Sequence, residues 1–105
     1  MKMTIRSEII ELRKIAPLPS EDDATPEVVE RYEKLIRAIE TPIADEEASL
    51  LVEVFGDDGC FGLADSLVQR IETAPHWPIL ESLTNLENPW VVELIRRAKR
   101  GGKID

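Results

Sequence analysis

Apolar residues recur along this chain every three or four positions, the spacing of one face of a helix, and nowhere alternate cleanly with polar ones between hairpin turns. Ile5, Ile9, Leu12 and Ile15 predict a first helix over residues 4–16. Pro17-Leu18-Pro19-Ser20-Glu21-Asp22-Asp23 breaks it and reads as an exposed loop. Thr25-Pro26 is a start signal, since Thr caps free N–H groups and Pro fits the first turn, where its missing N–H costs nothing. Val28, Val29, Tyr32, Leu35, Ile36 and Ile39 follow as one broad apolar face. Thr41-Pro42 repeats the punctuation. Ile43, Leu50, Leu51, Val54 and Phe55 then line a third helix, which Gly56 is expected to close in a left-handed conformation.

The fourth helix carries Cys60, Ala64, Leu67, Val68 and Ile71. It stops before Pro75, because the residue ahead of a proline disfavours helical backbone. His76-Trp77-Pro78 opens a short fifth helix with Ile79, Leu80 and Leu83. Asn88-Pro89 caps a sixth, striped by Val91, Leu94, Ile95 and Ala98 and ended by Gly101-Gly102, after which the tail is expected to fray. Pro26-Glu27-Val28-Val29-Glu30 matches Pro89-Trp90-Val91-Val92-Glu93 at four of five positions, but both are helix starts, and such starts converge. The expectation is a single all-α domain over residues 1–105. It has about six short helices stacked as antiparallel hairpins, in a helical bundle or HEAT-like arrangement.

Size and charge narrow the function. A chain of 105 residues buries roughly two thirds of its unfolded surface, enough for a thin core. Net charge is −8, unevenly spread: no Lys or Arg occurs from Thr41 to Gln69, a stretch that holds Asp45, Glu46, Glu47, Glu53, Asp57, Asp58 and Asp65. Such a centre repels a phosphate polymer, so no nucleic-acid partner is expected, and it attracts a basic protein surface. Solubility is the plainer explanation of the same residues. Arg96-Arg97-Lys99-Arg100 has the look of a nucleic-acid tail, but bases at a helix C-terminus complement its dipole in any case. Glu8 and Glu11 interrupt the apolar run after Met1, so no signal segment is expected. No stretch nears the roughly 20 apolar residues of a membrane span. One cysteine excludes an internal disulfide. Together these predict a cytoplasmic protein without a membrane anchor.

Residues 56–62, Gly-Asp-Asp-Gly-Cys-Phe-Gly, are the stretch richest in possible chemistry. As a calcium loop starting at Asp57, it has Gly62 at position six but Gly59, Phe61 and Val68 where ligands belong at three, five and twelve. It has no phosphate-loop pattern, and its aspartates would repel the anion. Cys60 as a nucleophile would need His76, the only histidine, which lies sixteen residues on at the far end of the fourth helix. A continuous helix there separates the two by roughly 20 Å. A structural corner explains every residue: Asp58 or Asp57 caps the fourth helix, Cys60 is a small buried hydrophobe, and Gly62 lets a neighbouring helix or a ligand approach closely.

Val54-Phe55-Gly56-Asp57-Asp58-Gly59-Cys60-Phe61-Gly62-Leu63-Ala64, with Ile71-Glu72-Thr73-Ala74-Pro75 downstream, resembles a group of small bacterial helical proteins of no established activity. In these, a corner of similar pattern precedes a helix ending in Ile-Glu-Thr-Ala-Pro. The resemblance implies a bacterial source and brings no catalytic residues. In size, acidity and helicity the chain is also similar to the immunity proteins that neutralise bacterial toxins.

The expected function is therefore non-enzymatic: a protein-interaction domain binding a basic partner, with toxin neutralisation as one case. The expected contact residues are Asp45, Glu46, Glu47, Asp57 and Asp58, together with His76 and Trp77, an aromatic on a loop flanked by Pro78. No catalytic residue, cofactor or metal ligand is assigned. The alternative is a small-molecule-binding or regulatory helical module with a pocket under Gly62.

Overall fold

The structure, a computed structural model, describes residues 5–103. Five α-helices follow one another: Ser7–Ile15 (α1), Pro26–Arg37 (α2), Asp45–Val52 (α3), Leu63–Ile71 (α4) and Pro89–Arg100 (α5). No strand occurs among the described residues, so the predicted all-α class holds. The helix count is five rather than six, because the segment after Pro78 makes only a single 3-10 turn, Leu80–Ser82. The Asn85 carboxamide competes for backbone groups there, accepting from the Glu87 N–H at 3.3 Å, and the Ser82 hydroxyl turns to Ser49 on α3. Residue 4, the expected start of the first helix, and residues 104–105 of the expected frayed tail lie outside the described residues.

Two of the sequence's helix starts form as their residues dictate. The Thr25 hydroxyl accepts from the Val28 N–H, and Pro26 occupies the first position of α2. The Asn88 carboxamide accepts from the Trp90 N–H at 2.8 Å, with Pro89 beginning α5. The end of α5 closes through two bonds, Lys103 N–H to the Ala98 carbonyl at 2.8 Å and Gly102 N–H to Lys99 at 3.1 Å. Gly102 takes the left-handed conformation that this paired closure needs, with φ +75°.

α1 packs on α2 and α3, and α4 packs on α3 and α2, so the first four helices close a ring around a common core. Its centre holds Leu12, Leu51, Leu67 and Tyr32, all buried. The Tyr32 hydroxyl donates to the Ile15 carbonyl, with the Pro17 carbonyl a second acceptor, so the tyrosine fixes the chain as it leaves α1. α5 adds Val91, Leu94 and Ala98 to the buried surface. Trp90 stacks on Phe55 with ring centroids 5.8 Å apart. Arg97 clamps Glu72, just past α4, through two bonds of 2.7 and 2.8 Å.

The loop after α1 departs from expectation. Leu18 is buried rather than exposed, and its N–H donates to the Val54 carbonyl at 2.8 Å. That bond accompanies the early end of α3 at Val52. It also lays the Leu18 carbonyl against Gly56, where any β-carbon would sit 2.1 Å from the oxygen. Gly56 is thus required for close approach, and its φ is not positive. The loop continues from there to Glu21, which meets the corner at residues 56–62.

Candidate functional site

Three successive residues of that corner have positive φ: Cys60 at +43°, Phe61 at +54° and Gly62 at +89°. L-residues visit this region singly and at a cost of about 1–3 kcal/mol each, so the surroundings must hold the two non-glycine residues there. Two carboxylates do so. Asp58 accepts from the Cys60 N–H with one oxygen (2.9 Å) and from the Glu21 N–H with the other (3.0 Å). Glu21 accepts from the Phe61 N–H at 2.9 Å. The Trp90 indole N–H donates to the Asp58 carbonyl at 3.1 Å and anchors the turn to α5.

This backbone turns Cys60 inward, fully buried, and Phe61 outward, 60 % exposed. Burial and the nearby charges of Asp58 and Glu21 push the Cys60 thiol above its ordinary pKa, which disfavours the thiolate. The fourth helix begins only at Leu63, after Gly62, so Cys60 lies ahead of the helix rather than on its stripe. Asp58 caps the turn and not α4 itself. Gly62 has open space around its α-carbon and is needed for its left-handed backbone, not for close approach. The roles expected of Gly56 and Gly62 are therefore exchanged.

Phe61 lines an open groove of about 620 Å³ that runs along α2. Pro26, Val29, Glu30, Glu33, Lys34 and Arg37 line it at alternating steps of three and one, a single stripe of the helix. Its lining is apolar towards the start of α2, with Ala24, Pro26 and Val29, and charged towards the far end, with Lys34 and Arg37.

The acidic residues singled out in the sequence do not form one surface. Asp45, Glu46 and Glu47 occupy the first turn of α3, while Asp57 and Asp58 follow its other end, beyond roughly 10 Å of helix. Glu47 is withdrawn from the surface altogether, only 2 % exposed. Its carboxylate accepts from the backbone N–H groups of Ala44 (2.9 Å) and Arg6 (3.1 Å), and the Arg6 side chain lies 3.5 Å away. That guanidinium also donates to the Glu40 and Pro42 carbonyls, so the pair staples α1 to the α2–α3 connection. The physical reason for the correction is the start of α3: Glu47 is the third helical residue, placed to reach back to the free N–H groups there.

Asp45 and His76 do come together. Asp45 accepts from the His76 N–H at 3.0 Å and lies 2.6 Å from its Nδ1. The backbone bond, with help from the imidazole, holds the Asp45 carboxyl below its usual pKa. Glu46 and Asp57 are exposed, and Trp77 is half-buried against the core. His76 and Cys60 flank α4 at opposite ends, so they make no nucleophile–base pair. Among the described residues no group of three His, Cys, Asp or Glu side chains is arranged to hold a metal ion. Among the same residues, no helix is long and apolar enough to cross a membrane.

Phe61, Glu21 and the α2 groove were not among the residues expected from sequence. One signal was present: the apolar face of α2 was too broad for its neighbours to cover. Val29 at its edge is only half-buried, and Val28 is 39 % exposed. No family model matches the chain, and neither does any curated protein or solved structure at a significant level.

Proposed function

We propose that this chain is a non-enzymatic protein-interaction domain that binds a basic protein partner, neutralisation of a bacterial toxin being one instance. Its contact site is the Phe61 corner rather than the acidic start of α3. One observation carries this assignment: a large aromatic, 60 % exposed, is held outward by a backbone that Asp58 and Glu21 must stabilise. A solvent-facing Phe contributes nothing to the core, and a rigid aromatic presented on a surface loses little entropy on binding. The surrounding carboxylates favour a partner with Lys and Arg near its contact surface. The single buried cysteine fits a reducing, cytoplasmic setting.

The second function, a small-molecule or regulatory module, draws support from the groove, whose volume falls within the roughly 300–1,000 Å³ of ligand sites. Its open form and charged far end favour a protein segment instead.

A photo-crosslinking phenylalanine analogue at position 61, with Val92 replaced by the same group as control, tests the interaction function in cells of the source organism. The expected result is one dominant adduct with a basic protein at position 61 only. Equal or absent adducts at both positions would reject the Phe61 corner as a protein contact.

A further inference from the structure

The groove along α2 has a chemical polarity that specifies more than a basic partner. Val29 and Phe61 line a common space; Glu30 and Glu33 follow Val29 along the groove wall, and Glu21 is bonded to the Phe61 N–H. Lys34 and Arg37 come next on the same stripe, so along α2 the acidic residues precede the basic ones. The pairs Glu30–Lys34 and Glu33–Arg37 are loose, at 4.0 and 3.7 Å; Glu30, Lys34 and Arg37 are well exposed and Glu33 about half so. Such exposed pairs along a helix are weak and readily exchange for a partner's charges. From Val29 to Arg37 the helix advances about 12 Å.

We propose that this groove receives a short segment of the partner protein carrying one large apolar side chain flanked by Lys or Arg, followed by a carboxylate about 8–12 Å further along. The apolar side chain packs between Val29 and Phe61. Its basic neighbours meet Glu21, Glu30 and Glu33, and the carboxylate meets Lys34 and Arg37. The order of charges fixes the direction in which the segment lies. This site deepens the interaction function proposed above and rests on it.

The probe is a library of random short peptides displayed on phage and selected on the full chain, the best sequence then being synthesised. The selected peptides should share the apolar–basic–acidic order, and amide shifts on binding should centre on Val29, Glu33 and Phe61. Phe61→Asn should weaken binding at least about tenfold without lowering the melting temperature, because Asn tolerates left-handed backbone. Glu30→Gln with Glu33→Gln should weaken it and flatten its salt dependence. Peptides that bind elsewhere, or that bind these variants as well as the parent, overturn the groove but leave the interaction function standing. So does a selection that yields nothing while the crosslink at position 61 captures a basic partner. A dimer of this chain that Phe61→Asn dissociates, or an apolar small molecule that competes for the groove without any peptide doing so, also overturns it. If neither selection nor crosslink yields a protein ligand, both proposals fall.

Discussion

The two ends of α3 use the same residue type for opposite ends. At its start, carboxylates are taken up by the scaffold: Glu47, buried, binds Arg6 and two backbone N–H groups, and Asp45 binds exposed His76. Past its end, Asp58 and Glu21 hold a turn that points an aromatic outward. Charge density along the chain does not separate these cases. What each carboxylate bonds to does. An acidic stretch becomes a candidate contact site where its carboxylates support an exposed group, and a piece of scaffold where they satisfy the helix start.

Removing each end's key acid should show the contrast. Glu47→Ala strands the part-buried N–H groups of Ala44 and Arg6, so chemical denaturation should show a loss of about 2–4 kcal/mol. A loss below 1 kcal/mol would mean the staple is incidental. Asp58→Asn keeps one acceptor oxygen where the aspartate used two, and should cost about 1 kcal/mol, against no measurable change for exposed Asp57→Asn. Equal melting temperatures for the two variants would contradict the locked turn.

The two glycines sharpen the same comparison. Gly56→Ala forces a β-carbon against the Leu18 carbonyl, so the loop must move, at about 2–3 kcal/mol. Gly62→Ala meets no atom and should cost only about 1 kcal/mol, the strain of its positive φ. The reverse order would restore the roles expected from sequence.

The smallest effect belongs to Asp45. Its carboxyl has a depressed pKa in the fold, so the stability it adds is complete above the unfolded value of 3.8 and is lost as pH falls through the folded value. Melting curves should show a shallower decline below about pH 4 in Asp45→Asn than in the parent. Identical acid profiles would remove the Asp45–His76 contact from the account of stability. Cys60 offers a parallel check, since a thiol reagent at neutral pH should label the native protein far more slowly than the urea-unfolded chain.

What the sequence made legible was local. Thr25-Pro26 and Asn88-Pro89 start helices because capping needs only neighbouring residues. The apolar spacing placed the buried residues of α4 correctly. What it hid depends on contacts far along the chain. Gly56 answers to Leu18, and the Phe61 turn answers to Glu21, forty residues away in sequence. Residues 60–62 read as the first turn of a helix, because nothing local reveals that a distant carboxylate will hold their backbone left-handed. Leu18 looked exposed because its two flanking prolines mark a loop, and loops are buried only when some other segment accepts their N–H groups, as Val54 does here.

The bonds between Glu21 and the corner also tie two segments into one unit of local unfolding. The amides of Leu18, Glu21, Cys60 and Phe61 all depend on the same closed arrangement. Opening the loop after α1 frees the turn, and opening the turn frees the loop. Their deuterium uptake should therefore share one opening free energy, distinct from that of the helices around them. Whatever clamps Phe61 in place would slow exchange at Leu18, a buried residue that lines no part of the groove.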